Sequence, residues 1–296
     1  MKERGGFMNY QVEAFFDKAT FTMTYIVFDD ISKDAIIIDP VWDYDPAASK
    51  TSRESVEKVI SFVQEKVLKI HYILETHAHA DHLTGAAELK KFFPDAKIGI
   101  GKNITTVQEV FSDIYNIKDF NTSGVQFDVL LDEKTELVAG SIKLKTIFTP
   151  GHTPACSSYL IDNLLFTGDA LFMPDYGTGR CDFPAGSAKD LYNSIHEKIY
   201  KLPDETIFYT GHDYMPNGRE LKYKSTIGES KKNNIQLKEE TTEDEFIQFR
   251  EARDATLNAP RLLLPSIQVN IDAGHLPLEE ENGVSYLKIP IRAEDN

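Results

Sequence analysis

Residues 76–82 read Thr-His-Ala-His-Ala-Asp-His, so a short run holds three of the 8 histidines in the chain and an aspartate between them. In extended backbone, alternate side chains project to the same side. His77 and His79 can then reach one ion while Asp81 and His82 turn toward a neighbouring position. Ahead of the run, His71-Tyr72-Ile73-Leu74 reads as a short buried strand, and residues 83–93 behind it read as a helix. A ligand loop between the carboxyl end of a strand and the start of a helix is where open α/β sheets place their sites. The chain therefore has to fold as strands and helices in layers, with this loop at a sheet edge.

The rest of the chain supplies such elements. Residues 10–16, 20–28 and 35–39 are rich in aromatic and β-branched side chains and read as strands, with breaks at Asp29-Asp30 and Pro40. Thr51 and Glu54 form a capping-box pattern ahead of Val56, Val59, Ile60, Val63 and Val67 at helical spacing. A strand at 97–100 and a helix over 105–117 follow. The pattern then turns to short strands between 125 and 148, with a hairpin of 157–161 and 164–166 around Asp162-Asn163. Ser187 and Asp190 form a capping-box pattern ahead of a further helix, 206–209 is a strand, and 231–245 reads as a charged connection. Thr242 and Glu245 open a helix over 246–257, and residues 261–291 alternate prolines with short apolar runs. We expect two sheets packed face to face with helices outside. The domain layout is an extension over 1–9, a main domain over 10–260 and a tail over 261–296 that wraps that same domain.

The formal net charge of −15 disfavours nucleic acid or an anionic membrane as partner, and no apolar run approaches the length that spans a bilayer. The N-terminus lacks the apolar core of a secretory signal, and two cysteines, Cys156 and Cys181, cannot build a disulfide framework. The expected setting is cytoplasmic.

Three later segments place similar chemistry at strand ends: Thr149-Pro150-Gly151-His152-Thr153-Pro154, Phe166-Thr167-Gly168-Asp169, and Tyr209-Thr210-Gly211-His212-Asp213. Each alone is an ordinary turn. Together with the loop they bring histidines and aspartates from four segments to strand ends, and that joint pattern resembles the metallo-β-lactamase superfamily over most of residues 10–260. Gly179-Arg180-Cys181-Asp182-Phe183 is similar to the persulfide dioxygenases within it. The run from Leu262 to Asn270 with Gly274-His275-Leu276-Pro277 is similar to a bacterial β-lactamase-like hydrolase branch linked to sulfide detoxification.

The resemblance implies a four-layer αββα sandwich with one Fe(II) per chain, held by His77, His152 and Asp169 with open positions left for a persulfide sulfur and O2. It implies that His79, Asp81, His82 and His212 orient those ligands and bound water, or hold a second ion, and that Asp182 disfavours a second metal. The implied reaction oxidises glutathione persulfide to sulfite and glutathione. Arg180 is the expected carboxylate binder by its planar fork, with Tyr214 at a thiol-binding position and Lys231 or Lys232 as a second cation. Cys181, beside Arg180, is a candidate for a lowered pKa and sulfur transfer. A separate sulfurtransferase and a homodimer are the implied partners. The competing reading is a dinuclear zinc hydrolase of glutathione thioesters, with two Zn(II) per chain and the second held by Asp81, His82 and His212. A third is a metal-bound partner protein without turnover.

Overall fold

The computed structural model describes residues 10–291, so the extension assigned to 1–9 lies outside the described residues. The first half runs β1 (Gln11–Asp17), β2 (Thr22–Phe28), β3 (Asp34–Ile38), β4 (Val41–Asp45), β5 (Lys50–Ser52), α1 (Glu54–Lys66), β6 (Lys69–Glu75), β7 (Leu83–Thr84), α2 (Ala86–Phe92), β8 (Lys97–Gly101), α3 (Ile104–Ile114) and β9 (Val129–Leu131). The second runs β10 (Glu136–Ala139), β11 (Ile142–Phe148), β12 (Ser157–Ile161), β13 (Leu164–Gly168), α4 (Ala188–His196), β14 (Ile207–Thr210), β15 (Lys224–Thr226), α5 (Ile227–Asn233), α6 (Glu243–Asp254) and α7 (Leu263–Asn270).

Strand β2 shows how these residues specify layers. It is buried throughout, and the two-residue period of a strand sends Met23, Tyr25 and Val27 to one face and Ile26 and Phe28 to the other. Neighbouring β3 does the same, with Ile36 and Ile38 opposite Ala35 and Ile37. A strand that is apolar on both faces needs a layer on each side. One face meets the second sheet, where Tyr159, Ile161, Phe166 and Tyr209 complete the inner core. The other meets helices, through Val56, Val59 and Val63 of α1, Leu89 of α2 and Phe111 of α3. The sheets have six strands each, in the orders β1-β2-β3-β6-β8-β9 and β10-β11-β12-β13-β14-β15. On the outer face of the second sheet, Leu191 and Ile195 of α4 and Phe246 of α6 form a third core. The molecule is thus the expected αββα sandwich.

Several elements differ from the sequence reading. Thr51 does not cap α1, because it lies in β5 paired with Tyr44. Residue Arg53 precedes the helix without a side-chain cap, and the Asp43 carboxylate accepts from the amide and hydroxyl of Ser55 instead, at 2.8 and 2.7 Å. Val67 is not on the buried face: it ends α1 in the left-handed region and is exposed. Leu83 and Thr84 form a strand with Val41 and Trp42, so the helix there starts at Ala86. The stretch 231–245 is not all connection, since α5 runs to Asn233. Inside 261–291 lies a buried helix, α7, which packs against β7. In the second half Thr242 and Glu245 make the reciprocal capping box as read, whereas at Ser187 only half of one forms: its side chain accepts from the Asp190 amide and the Asp190 side chain does not return to the Ser187 amide.

Capping by a carboxylate distant in sequence gives a specific expectation. Asp43→Ala should lower stability by about 1 kcal/mol in denaturant unfolding, the usual worth of a lost N-terminal cap, whereas Thr51→Ala should change it by less than about 0.5 kcal/mol.

Candidate metal centre

Strands β6 and β13 and the turns after β11 and β14 end at one edge of the two sheets, and each end carries part of the site. The loop after β6 is fixed from beneath by Asp39, the residue that ends β3 with φ of 50°. One Asp39 oxygen accepts from the Thr76 amide at 2.7 Å and sits 3.1 Å from His79 Nε2; the other accepts from the Thr76 hydroxyl at 2.8 Å. Because that hydroxyl donates to Asp39, it accepts from His77 Nδ1 at 3.0 Å. The proton on Nδ1 leaves a lone pair on Nε2, which is the tautomer a metal ligand needs. Burial, then the neighbouring His79 and His152, hold His77 well below the ordinary histidine range, which keeps it neutral.

His152 follows Gly151, whose φ of 143° lets the turn lie against α4. Its Nδ1 donates to the carbonyl oxygen of Arg180 at 2.7 Å, so Nε2 faces Asp169, 3.7 Å from Oδ2. Asp169 follows Gly168, also at positive φ, where a Cβ would stand 2.4 Å from Thr76 Oγ1. His77, His152 and Asp169 offer ligand atoms that all lie within 4.8 Å of one another, and so do His79, Asp81 and His82.

The donors fit a cation. His77 Nε2, His79 Nδ1, His82 Nε2 and Asp169 Oδ1 are buried without a hydrogen-bond partner, and four orphaned polar atoms converging at one sheet edge are what a metal site presents before the ion is counted. His212 joins them from the end of β14. Its Nδ1 donates to the Phe21 carbonyl at 3.2 Å, and Nε2 is 3.3 Å from Asp81 and 3.4 Å from Asp169 Oδ1. Desolvation works against a charge on His79, but Asp39 and Glu75 outweigh it and raise its pKa, while burial pushes Glu75 itself up to about 7.

The site opens into a cavity of about 710 Å3, with Asp81, His152 and Asp169 at its floor. Tyr214 stacks on His212 at 5.5 Å and on Tyr176 at 4.8 Å, and Phe172 stands edge-on to it at 6.1 Å. Phe172, Asp175, Tyr176 and Thr178 line the cavity, so the segment over 173–178 forms one of its walls. Arg180 also lines it, but its fork is closed on Asp182 by two hydrogen bonds of 2.5 Å, and a third goes to the Asn258 carbonyl. Asp182 is therefore held by Arg180 rather than aimed at the ligand atoms. Lys231 lies elsewhere, on α5, with its Nζ on Asp204 at 2.6 Å, and neither it nor Lys232 lines the cavity. Burial, then Asp254, pushes the Cys181 thiol up, the opposite of the lowered pKa expected from its sequence position. Cys156 is buried too, with its thiol pushed up to about 12. The cations that face the opening come from the C-terminal part of the chain: Arg253, with one long contact to Thr256, and Arg261, with no partner among the described residues.

Residues 18–212, more than half of the chain, match the model of the metallo-beta-lactamase superfamily. The chain belongs to that superfamily. Glyoxylase B2 of Dictyostelium discoideum is 47% identical over 283 residues, 95% of this chain and 97% of that protein. The mitochondrial persulfide dioxygenase ETHE1 of Homo sapiens is 34% identical over 201 residues, 67% of this chain and 66% of that protein. The crystal structure of ETHE1 from Myxococcus xanthus superposes with a TM-score of 0.72 at 29% identity, covering 90% of this chain and 100% of that one. Among the described residues no helix is long and apolar enough to cross a membrane.

Sequence reasoning missed Asp39, Glu75, Arg261 and Asn270. Asp39 alone carried a visible signal, a carboxylate directly after the apolar run Ile36-Ile37-Ile38.

The His152 turn can be tested at Gly151. A Cβ there would lie 2.4 Å from backbone atoms of Leu191. Gly151→Ala should cost about 2–4 kcal/mol in denaturant unfolding, from backbone strain and displacement of α4, and should weaken zinc binding in the folded fraction.

Proposed function

We propose that the chain is an Fe(II)-dependent persulfide dioxygenase that converts glutathione persulfide, O2 and water to sulfite and glutathione in the cytoplasm. The observation that carries this reading is the convergence of His77, His152 and Asp169, two imidazoles and one carboxylate, beside a cavity with an aromatic wall that His152 and Asp169 line. Such a donor set suits one iron with coordination positions left open. When bound, the iron supplies the redox chemistry with O2. Its likeness to the ETHE1 proteins supports the same reading.

The chain's own residues have three tasks. Asp39, Thr76 and the Arg180 carbonyl hold His77 and His152 in the tautomer with Nε2 free. Phe172, Tyr176 and Tyr214 give the sulfur end of the substrate an apolar, polarisable wall that excludes water. Arg253 and Arg261 at the mouth take the substrate carboxylates, the part that the sequence reading gave to Arg180 and Lys231. A separate sulfurtransferase would then deliver or consume the sulfane sulfur.

The competing reading, a dinuclear zinc thioesterase, is favoured by His82 and His212, which supply ligand atoms beyond the first three, and by the name of the Dictyostelium relative. Anaerobic reconstitution separates the two. One iron per chain with O2 uptake on adding glutathione persulfide is expected, and two zincs with thioester hydrolysis and no O2 uptake would refute the proposal. His77→Ala and Asp169→Ala should each abolish iron retention, while His212→Ala should keep most of it; equal loss in all three contradicts a mononuclear site. For the mouth, Arg261→Ala should raise KM for glutathione persulfide roughly tenfold with kcat little changed, the loss of about one charge-assisted hydrogen bond made equally in ground and transition states.

A further inference from the structure

The segment that matches the family model ends at residue 212, yet the metal loop is gripped by a side chain from well beyond it. Helix α7 ends at Asn270, which is 3% exposed and lies directly under residues 79–84. Its Nδ2 donates to the His79 carbonyl at 2.8 Å and to the His82 carbonyl at 2.7 Å, and its Oδ1 accepts from the Thr84 amide at 2.8 Å. A primary amide has two donor hydrogens and an acceptor oxygen, and all three are used. Two of the three backbone groups belong to histidines whose ring nitrogens are orphaned toward the ion site. Without Asn270, two buried carbonyls and one amide of the loop lose these partners.

The helix is held in place independently of this contact. Ile267, Val269 and Ile271 pack with Ala78, Ala80, Leu83 and Ala86, and Gln268 bonds the backbone of Lys288 in both directions, at 2.8 and 2.9 Å. The grip therefore comes from an element anchored in the core.

We propose that Asn270 is a positioning residue: the C-terminal helix, through this one amide, fixes the backbone of residues 79–84 and so sets the affinity of the site for a divalent cation. The device serves whichever ion the loop holds, so it does not depend on the persulfide reaction.

The test uses the full chain and zinc(II), with affinity read by competition against a chromophoric chelator and the Tm of the metal-free protein read in parallel. Asn270→Ala should weaken zinc binding roughly ten- to hundredfold, the usual effect of removing a group that orients ligands. Gln268→Ala, in the same helix but bonded to Lys288 and not to the loop, should lower Tm while leaving zinc affinity within about threefold. Hydrogen exchange of the metal-free protein should speed up at 79–84 in Asn270→Ala. Zinc affinity unchanged in Asn270→Ala would overturn the proposal, as would an equal loss of affinity in Gln268→Ala, since the helix would then act only through stability. If Asn270→Ala does not fold, Asn270→Ser, which keeps one donor and one acceptor, carries the same test: a smaller loss, roughly threefold to tenfold, supports the proposal and unchanged affinity overturns it.

Discussion

A single buried carboxylate, that of Asp39, sets the geometry on which the rest of the site depends. It ends β3 in a left-handed conformation, with its own amide on the Leu74 carbonyl and its carbonyl on the Thr24 hydroxyl. So three neighbouring strands of the first sheet meet at one residue. From there its oxygens order Thr76, and through Thr76 and directly they order His77 and His79. An uncompensated carboxylate at 2% exposure would be costly, and the loop provides the donors that make it tolerable. The sheet and the ligand loop therefore stabilise each other, and a rigid loop lowers the ordering required when an ion binds.

The site is enclosed from both ends of the sequence. Beneath the loop lie Asp39 and Glu75 from the first sheet, and below residues 79–84 lies Asn270 from the last helix. The second sheet supplies His152, Asp169 and His212, so the site sits on the seam between the two sheets. No one sheet contains it. This explains why its pieces are scattered along the sequence while their ligand atoms lie close together.

Much of the architecture was legible because periodicity reports burial. The two-sided apolar pattern of β2 and β3, the helical spacing of α1 and the capping box of α6 each follow from local chemistry. The ligand candidates were legible for a related reason: glycine and histidine at strand ends form short local patterns. What escaped was set by contacts between residues far apart in the chain. Thr51 fits a capping box as well as Thr242 does, but β5 claims it and Asp43 takes over. Arg180 has the chemistry of a carboxylate binder, and a carboxylate two residues away, Asp182, already occupies it. Cys181 beside an arginine looks activated, but it is buried and faces Asp254 rather than the guanidinium's charge. In each case the residue type was informative and its nearest partner in space was not readable.

The difference between one ion and two comes down to the two oxygens of Asp169. Oδ2 faces His152 at 3.7 Å, on the side of the first ligand group, and Oδ1 faces His212 at 3.4 Å without hydrogen-bond geometry. A carboxylate placed in this way can bridge two ions, or it can bind one ion through one oxygen while the other accepts from an imidazole. His212 has its Nδ1 turned to the Phe21 carbonyl, which is an acceptor and therefore puts a proton on that nitrogen. With only that proton, Nε2 is a lone pair and can serve as a ligand; with a second, it is a protonated nitrogen beside Asp81 and Asp169 and no ion can bind there. Asp81 and Asp169 both favour that second proton, which raises the pKa of His212 despite desolvation. Tyr214 lies stacked on the same ring from the cavity side, so whatever approaches that position must pass the tyrosine. The chain thus brings ligand-competent side chains together beyond His77, His152 and Asp169, with a carboxylate pair and a tyrosine arranged around the histidine that a second ion would need.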